Sequence, residues 1–313
     1  VARLAYALAM GINPNNHALD GGRASSRMEK EAVAHIARMF GWETHLGHLT
    51  SGGTMANLEA LWVSGQLHPQ TTVLASTQAH YTHSRISQVL QLDFAAVPVD
   101  SQARMDVQAL EAMLQTHRVQ TVVATLGTTG FGAVDPLDRI LDLRDKYGYT
   151  FRLHVDAAYG GYFTLVDSLD DDVQRAFARL DQADSIVVDP HKHGLQPYGC
   201  GCVLFRDPEL GTLYKHDSPY TYFSSPELHL GEISLECSRA GASAVALWAT
   251  MQLLPLNRGG QFAADLNRCL QAARKLFTQV QGDPSFLTLF PPDLDIAVWA
   301  PAAPTSSLIS TLT

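Results

Sequence analysis

Ser185-Ile186-Val187-Val188-Asp189-Pro190-His191-Lys192-His193-Gly194 is the stretch on which the reading of this chain turns. Residues 185–188 are apolar or β-favouring and read as a buried strand, which Pro190 then stops. Lys192 follows where the backbone leaves the sheet. In open α/β sheets ligands bind there, just beyond the carboxyl ends of the strands. A lysine held there against an apolar wall, beside two histidines, is a candidate for a lowered pKa and for Schiff-base formation with a carbonyl. Taken alone, the stretch is equally an ordinary loop with a surface lysine, so its neighbours have to decide.

Working outward, residues 72–75, 94–99, 119–125, 150–155 and 201–205 also read as strands. Residues 80–92, 106–115, 136–147 and 171–180 read as helices, with Asp106 as a cap and Pro136 at a first turn. This rhythm predicts an α/β fold, a mostly parallel sheet with helices on both faces. Upstream, residues 4–10 read as a helix and 11–24 as a long Gly/Asn/Pro loop. Ser26-Arg27-Met28-Glu29 reads as a capping box opening a helix that Gly41 ends. Downstream, 242–254 reads as a helix, Pro255 and Gly259-Gly260 as a boundary, 262–280 as a long helix, and 294–299 as a strand. The expected organisation is an N-terminal segment (1–25), a large domain (26–254), and a linking helix with the start of a smaller domain (255–313). With no initiator Met, a first residue inside a helix and a last strand without a partner, the chain reads as a fragment or as one with segments missing.

The 313 residues are 46% hydrophobic and 17% charged, enough for a substantial core, and carry a net charge of −9, which disfavours a nucleic-acid partner. No run of about 18 apolar residues predicts a membrane span, and no signal-peptide pattern follows the start. Cys200, Cys202, Cys237 and Cys269 fit neither a disulfide framework nor a common zinc site, and read as reduced thiols in or near the core of a cytoplasmic protein.

Further stretches carry chemistry. Thr50-Ser51-Gly52-Gly53-Thr54-Met55-Ala56-Asn57 runs small residues into a helix start, where free N–H groups favour a phosphate, though a plain capped glycine turn fits too. It lacks the Walker spacing and lysine. Gln78-Ala79-His80-Tyr81-Thr82-His83 places His80 beyond one strand, and Leu126-Gly127-Thr128-Thr129-Gly130 places a hydroxyl pair beyond another. His154-Val155-Asp156-Ala157-Ala158-Tyr159-Gly160-Gly161 sets a carboxylate at a buried strand end. That is costly unless it meets a positive partner such as a protonated ring nitrogen. His154 and Asp156 share a strand face, but a metal site wants more ligands, and none is expected. An anion site, a histidine, hydroxyls, an acid and a lysine together define a planar, phosphorylated, aldehyde-bearing ligand: pyridoxal 5′-phosphate.

Over residues 15–254 these motifs, with Asn15-Asn16, Met28-Glu29-Lys30-Glu31 and Val99-Asp100, resemble the group II pyridoxal-phosphate-dependent amino-acid decarboxylases, which act on aromatic amino acids, tyrosine, glutamate or diaminobutyrate. The resemblance implies the aspartate-aminotransferase fold (fold type I) and a homodimer with shared active sites. It implies Lys192 as the Schiff-base lysine, Asp156 as the partner of the ring nitrogen and His80 as the stacking residue. Gly53, Thr54 and His191 would lie near the phosphate, and Thr129 and Ala158 against the ring. A family loop carrying a catalytic tyrosine falls near residues 217–226, which makes Tyr220 and Tyr222 candidates. Asp189 departs from the family pattern, standing where many members have Asn. Glu236-Cys237-Ser238-Arg239-Ala240-Gly241-Ala242 is closer to archaeal tyrosine/aspartate decarboxylases and sphingosine-phosphate lyases, which makes Arg239 a candidate anion contact or a structural arginine.

The expected reaction is decarboxylation of an L-amino acid to its amine, with an aromatic or acidic substrate favoured. The alternatives are a carbon–carbon lyase of the sphingosine-phosphate-lyase type, an aldehyde-forming oxidative deaminase, and a catalytically silent scaffold. A nicotinamide dehydrogenase is disfavoured because Gly-x-Gly-x-x-Gly after a first strand is missing.

Overall fold

The computed structural model describes residues 1–215 and 229–303. The chain runs α1 (Ala2–Met10), α2 (Leu19–Met39), β1 (Leu46–Thr50), α3 (Gly53–Leu67), β2 (Thr72–Ser76), α4 (Thr82–Val89) and β3 (Asp93–Val97). It continues through α5 (Val107–Thr116), β4 (Val119–Thr125), α6 (Leu137–Tyr147), β5 (Arg152–Asp156), α7 (Asp171–Phe177), β6 (Ser185–Val188) and β7 (Gly201–Phe205). The last elements are α8 (Gly241–Leu253), α9 (Gln261–Gln281), β8 (Phe286–Thr288) and β9 (Trp299–Pro301).

Seven strands form one sheet in the order β1-β7-β6-β5-β4-β2-β3. Strands β3, β2, β4, β5 and β6 are parallel, and β7 runs against both β6 and β1. Since β1 opposes β7, it points the same way as β6. The carboxyl ends of β1, β2, β4, β5 and β6 therefore share one edge of the sheet, and the site lies there.

Period-two alternation splits the core across the sheet. Val187 and Val203 pack with Ala56, Ala60 and Val63 of α3 on one face. Ile186, Val188, Leu153 and Leu204 pack with Ile36, Ile140 and Leu141 on the other. All four residues of β6 are buried, as expected of a parallel strand covered on both sides. At about 1.5–3 kcal/mol per buried aliphatic side chain, this double cover holds the strand ends, and the loops they launch, in place.

Three expectations change, and one strand goes beyond them. Residues 46–50 form an edge strand although Leu-Gly-His-Leu-Thr carries no β-branched run; its pairing with β7 makes it one. Helix α2 begins at Leu19 instead of Ser26, bending through non-helical backbone at Gly22. Ser26 is buried inside the helix, and it is the neighbouring Ser25 that bonds back to Asn16 and Gly22. Residues 294–298 are not a strand. Their alternation serves anchoring: Leu294 is fully buried, and Asp293 and Asp295 bind groups on the sheet edge. The short β9 that follows pairs with β8. Finally, Cys200 and Cys202 are buried and free, but Cys237 and Cys269 are exposed rather than near the core. Among the described residues no helix is long and apolar enough to cross a membrane.

Candidate active site

The shared edge opens onto a cavity of about 410 Å³. Gly53 and Thr54 line it from the start of α3, His80 from the loop after β2, and Thr129 from the loop after β4. Asp156 and Ala158 come from the end of β5, and His191 and Lys192 from the turn after β6. Tyr220 and Tyr222 lie outside the described residues. Of the hydroxyl pair only Thr129 reaches the cavity; Thr128 is buried, and its Oγ1 accepts from the Ala133 N–H at 3.1 Å.

Asp156 is 4% exposed and surrounded by donors. Its Oδ2 accepts from His83 Nε2 at 2.9 Å and Asn57 Nδ2 at 3.2 Å, and its Oδ1 from the Ala158 N–H at 3.1 Å. Burial alone would raise this carboxyl. The hydrogen bond and charge of His83, then His154 and the Ala158 N–H, overcome that and hold it well below the ordinary carboxylate range. Behind it, His154 Nε2 donates to Asn57 Oδ1 at 2.7 Å, which leaves His154 Nδ1 to accept from Ser185 Oγ at 2.9 Å. Burial pushes His154 down to about 3, so its ring stays neutral and fixes which way the Asn57 amide faces. His154 is thus a supporting residue. The sequence did not single out His83, because a histidine one turn beyond His80 shows nothing of a partner 73 positions away.

The neighbour of Lys192 is a carboxylate, where an apolar wall was expected. Its Nζ lies 3.0 Å from Asp189 Oδ2, while His191 Nε2 is 3.5 Å from the same oxygen. Burial raises the Asp189 carboxyl despite Lys192 and His191, and its Oδ1 is buried without a hydrogen-bond partner. A Cβ on Gly53 would sit 2.7 Å from Asp189 Oδ2, so a larger residue there would push that carboxylate aside. No side chain caps the start of α3, which leaves its first N–H groups without an intrahelical partner where Gly53 and Thr54 line the cavity. His80 accepts the Thr82 N–H at Nδ1 (3.3 Å) and stacks on Tyr81 with ring centroids 4.5 Å apart. Burial lowers its pKa, against the pull of Asp156.

Residues 54–297 match the family described as "Pyridoxal-dependent decarboxylase conserved domain". The chain belongs to the pyridoxal-dependent decarboxylase family. Among its relatives, the L-tyrosine decarboxylase of Levilactobacillus brevis is 29% identical over 83% of this chain and 57% of that protein. The probable L-tyrosine/L-aspartate decarboxylase of Methanoculleus marisnigri is 29% identical over 96% of this chain and 78% of that protein. The fold matches the structure of Oryza sativa TDC with PLP and tryptamine at a TM-score of 0.84, with 20% identity over 96% of this chain and 67% of that one. The chain spans less than two thirds of the length of the L. brevis relative.

The cofactor of this family is pyridoxal 5′-phosphate, and the cavity fits it. Its lining offers an ionised carboxylate, Asp156, suited to a pyridinium nitrogen, the uncapped start of α3, suited to a phosphate, and an amine, Lys192, suited to an aldehyde. Thr125, a residue of the same wall, keeps its Oγ1 buried without a partner. Arg239 is tied to the fold through one nitrogen, while its Nε and Nη2 are buried without a partner. Its side chain is 7% exposed and donates through Nη1 to Glu29 Oε1 at 2.7 Å and to the Leu49 carbonyl at 2.6 Å, beside a separate pocket. Among the described residues no cluster of His, Cys, Asp or Glu is arranged to hold a metal ion.

Proposed function

We propose that this protein is a decarboxylase that converts an L-amino acid to its amine and carbon dioxide, with Lys192 as the residue that carries pyridoxal 5′-phosphate. The observation that carries this reading is the ionised, network-held Asp156 sharing one cavity with Lys192. Bound there, the cofactor supplies an electron sink for the bond that breaks. The chain's own residues make that sink usable. Asp156 Oδ1 and Oδ2, locked by Ala158, Asn57 and His83, would keep a proton on the ring nitrogen. The first N–H groups of α3, with Thr54 and His191, would hold the phosphate. His80 would lie against the ring, Ala158 would leave room for its other face, and Thr129 would contact its edge. Lys192 Nζ would hold the cofactor through its aldehyde and, once free, would take up and return a proton at Nζ. Tyr220 or Tyr222 is the proposed donor of a proton to the substrate carbon.

The substrate class is an aromatic or acidic amino acid, a reading supported by the named activities of the bacterial and archaeal relatives. The working form is a homodimer with shared sites, supported by the exposed apolar side chains Leu4, Leu8 and Ile12 on and just after α1. A reducing, cytoplasmic location suits four free cysteines. The test is a screen of the common amino acids for carbon dioxide together with the matching amine. Ammonia with peroxide, or a phosphoethanolamine product from a phosphorylated amino alcohol, would replace this reading with the deaminase or the lyase.

A further inference from the structure

We propose that Asp295, on the stretch between β8 and β9, is a positioning residue for the loop that carries Lys192, clasping His193 and Tyr159 with one carboxylate. The proposal rests on the reading of Lys192 given above.

Asp295 Oδ2 lies 3.0 Å from His193 Nε2, and Tyr159, in the cavity wall, donates its hydroxyl to Asp295 Oδ1 at 2.8 Å. The other ring nitrogen, His193 Nδ1, lies 2.9 Å from the Tyr159 carbonyl oxygen. A carboxylate and a carbonyl both accept, so the two contacts are hydrogen bonds together only when both ring nitrogens carry hydrogen. The clasp is therefore complete with an imidazolium, whose charge Asp295 answers. The ring is boxed edge-on by Tyr159 and Phe163, with centroids 4.5 and 5.0 Å away. The His193 and Asp295 side chains are only 14% and 13% exposed.

The stretch that delivers Asp295 cannot easily swing away. Leu294 fills the space left by two glycines: a Cβ on Gly127 or Gly160 would meet Leu294 Cδ1 at 3.0 or 2.8 Å. Asp293 accepts from Arg104 Nε and from the Val134 N–H, each at 2.9 Å. A segment far along the chain thus grips the residue next to Lys192 and a residue of the cavity wall at once. Such outer partners fix the orientation of the groups that hold a ligand.

The test uses the cofactor-loaded protein and the variants D295N, D295E and H193Q. Release of pyridoxal 5′-phosphate on dilution is followed by absorbance, with the melting temperature measured on the same samples. D295N and H193Q should release it about tenfold faster than wild type, the scale of one charge-assisted hydrogen bond lost. D295E, which keeps the carboxylate, should recover part of that loss. A lowered melting temperature with unchanged release would make Asp295 a merely structural residue and overturn the proposal, as would release from D295E no slower than from D295N. Wild-type protein that holds no cofactor overturns this inference together with the proposed function. Wild type that holds it while D295N releases it no faster overturns the clasp alone.

Discussion

Replacing His83 with Leu strands the Asp156 carboxylate. In the native protein that group, 4% exposed, is met by His83 at 2.9 Å, Asn57 at 3.2 Å and the Ala158 N–H at 3.1 Å. Without the imidazole it keeps two neutral donors and loses its nearest basic partner. Breaking a buried pair from one side costs about 3–5 kcal/mol, because the remaining charge is left without compensation. Asp156→Asn removes that charge, so in the His83→Leu background it should cost little or restore stability. In wild type the same change forfeits the pair. Urea unfolding of the wild type, both single variants and the double variant should give a coupling of about 3 kcal/mol.

The pH dependence has a definite sign. A carboxyl held below its unfolded value contributes stability that is present above the ordinary carboxylate range and lost as pH falls through the folded value. In His83→Leu burial prevails and the carboxyl rises, so its contribution reverses. The deficit should be larger at about pH 8 than at about pH 5, where protonation of Asp156 relieves it. Additive variants, within about 0.5 kcal/mol, with a deficit independent of pH would refute the claim that His83 keeps Asp156 ionised.

Three further outcomes follow from the same contacts. Gly53→Ala would bring a Cβ to 2.7 Å from Asp189 Oδ2 and weaken pyridoxal 5′-phosphate binding about tenfold in a fluorescence titration, the cost of modest overpacking. Burial raises the Asp189 carboxyl, and a raised carboxyl costs stability once pH exceeds its unfolded value. Asp189→Asn should therefore raise the unfolding free energy at neutral pH by about 1 kcal/mol in urea unfolding, a gain that vanishes on acidification through the carboxylate range. Arg104→Met leaves Asp293, 6% exposed, with only the Val134 N–H among the described residues, and should lower stability by about 3 kcal/mol in urea unfolding.

Much of the fold was legible because burial on both faces leaves a mark in composition. Strands β4, β6 and β7 begin and end where the sequence reading places them, and Asp106 caps α5 by accepting from the Gln108 and Ala109 N–H groups. What escaped depends on partners far along the chain. Strand β1 exists because β7 lies beside it, and Gly47 is needed there since a Cβ would sit 2.7 Å from the Val203 carbonyl oxygen. The Gly21-Gly22 pair reads as a loop, yet α2 passes through it with one kink. Residues 294–299 show strand-like alternation, but Leu294 is an anchor and Asp293 and Asp295 are ligands for the sheet edge. At the site, the residues proposed to touch the cofactor were readable because they sit in motifs that the local sequence marks, at a helix start or just after a strand. The residues that set their charge and direction, His83, Asn57, His154 and Asp295, were not, because nothing local in the sequence states whom they face.

The most direct test of the account is borohydride reduction of the cofactor-loaded protein followed by mass analysis of its peptides. The account predicts a pyridoxyl adduct on Lys192 and its loss in Lys192→Ala. An adduct on a different lysine, or none on protein that retains its fold, would contradict it.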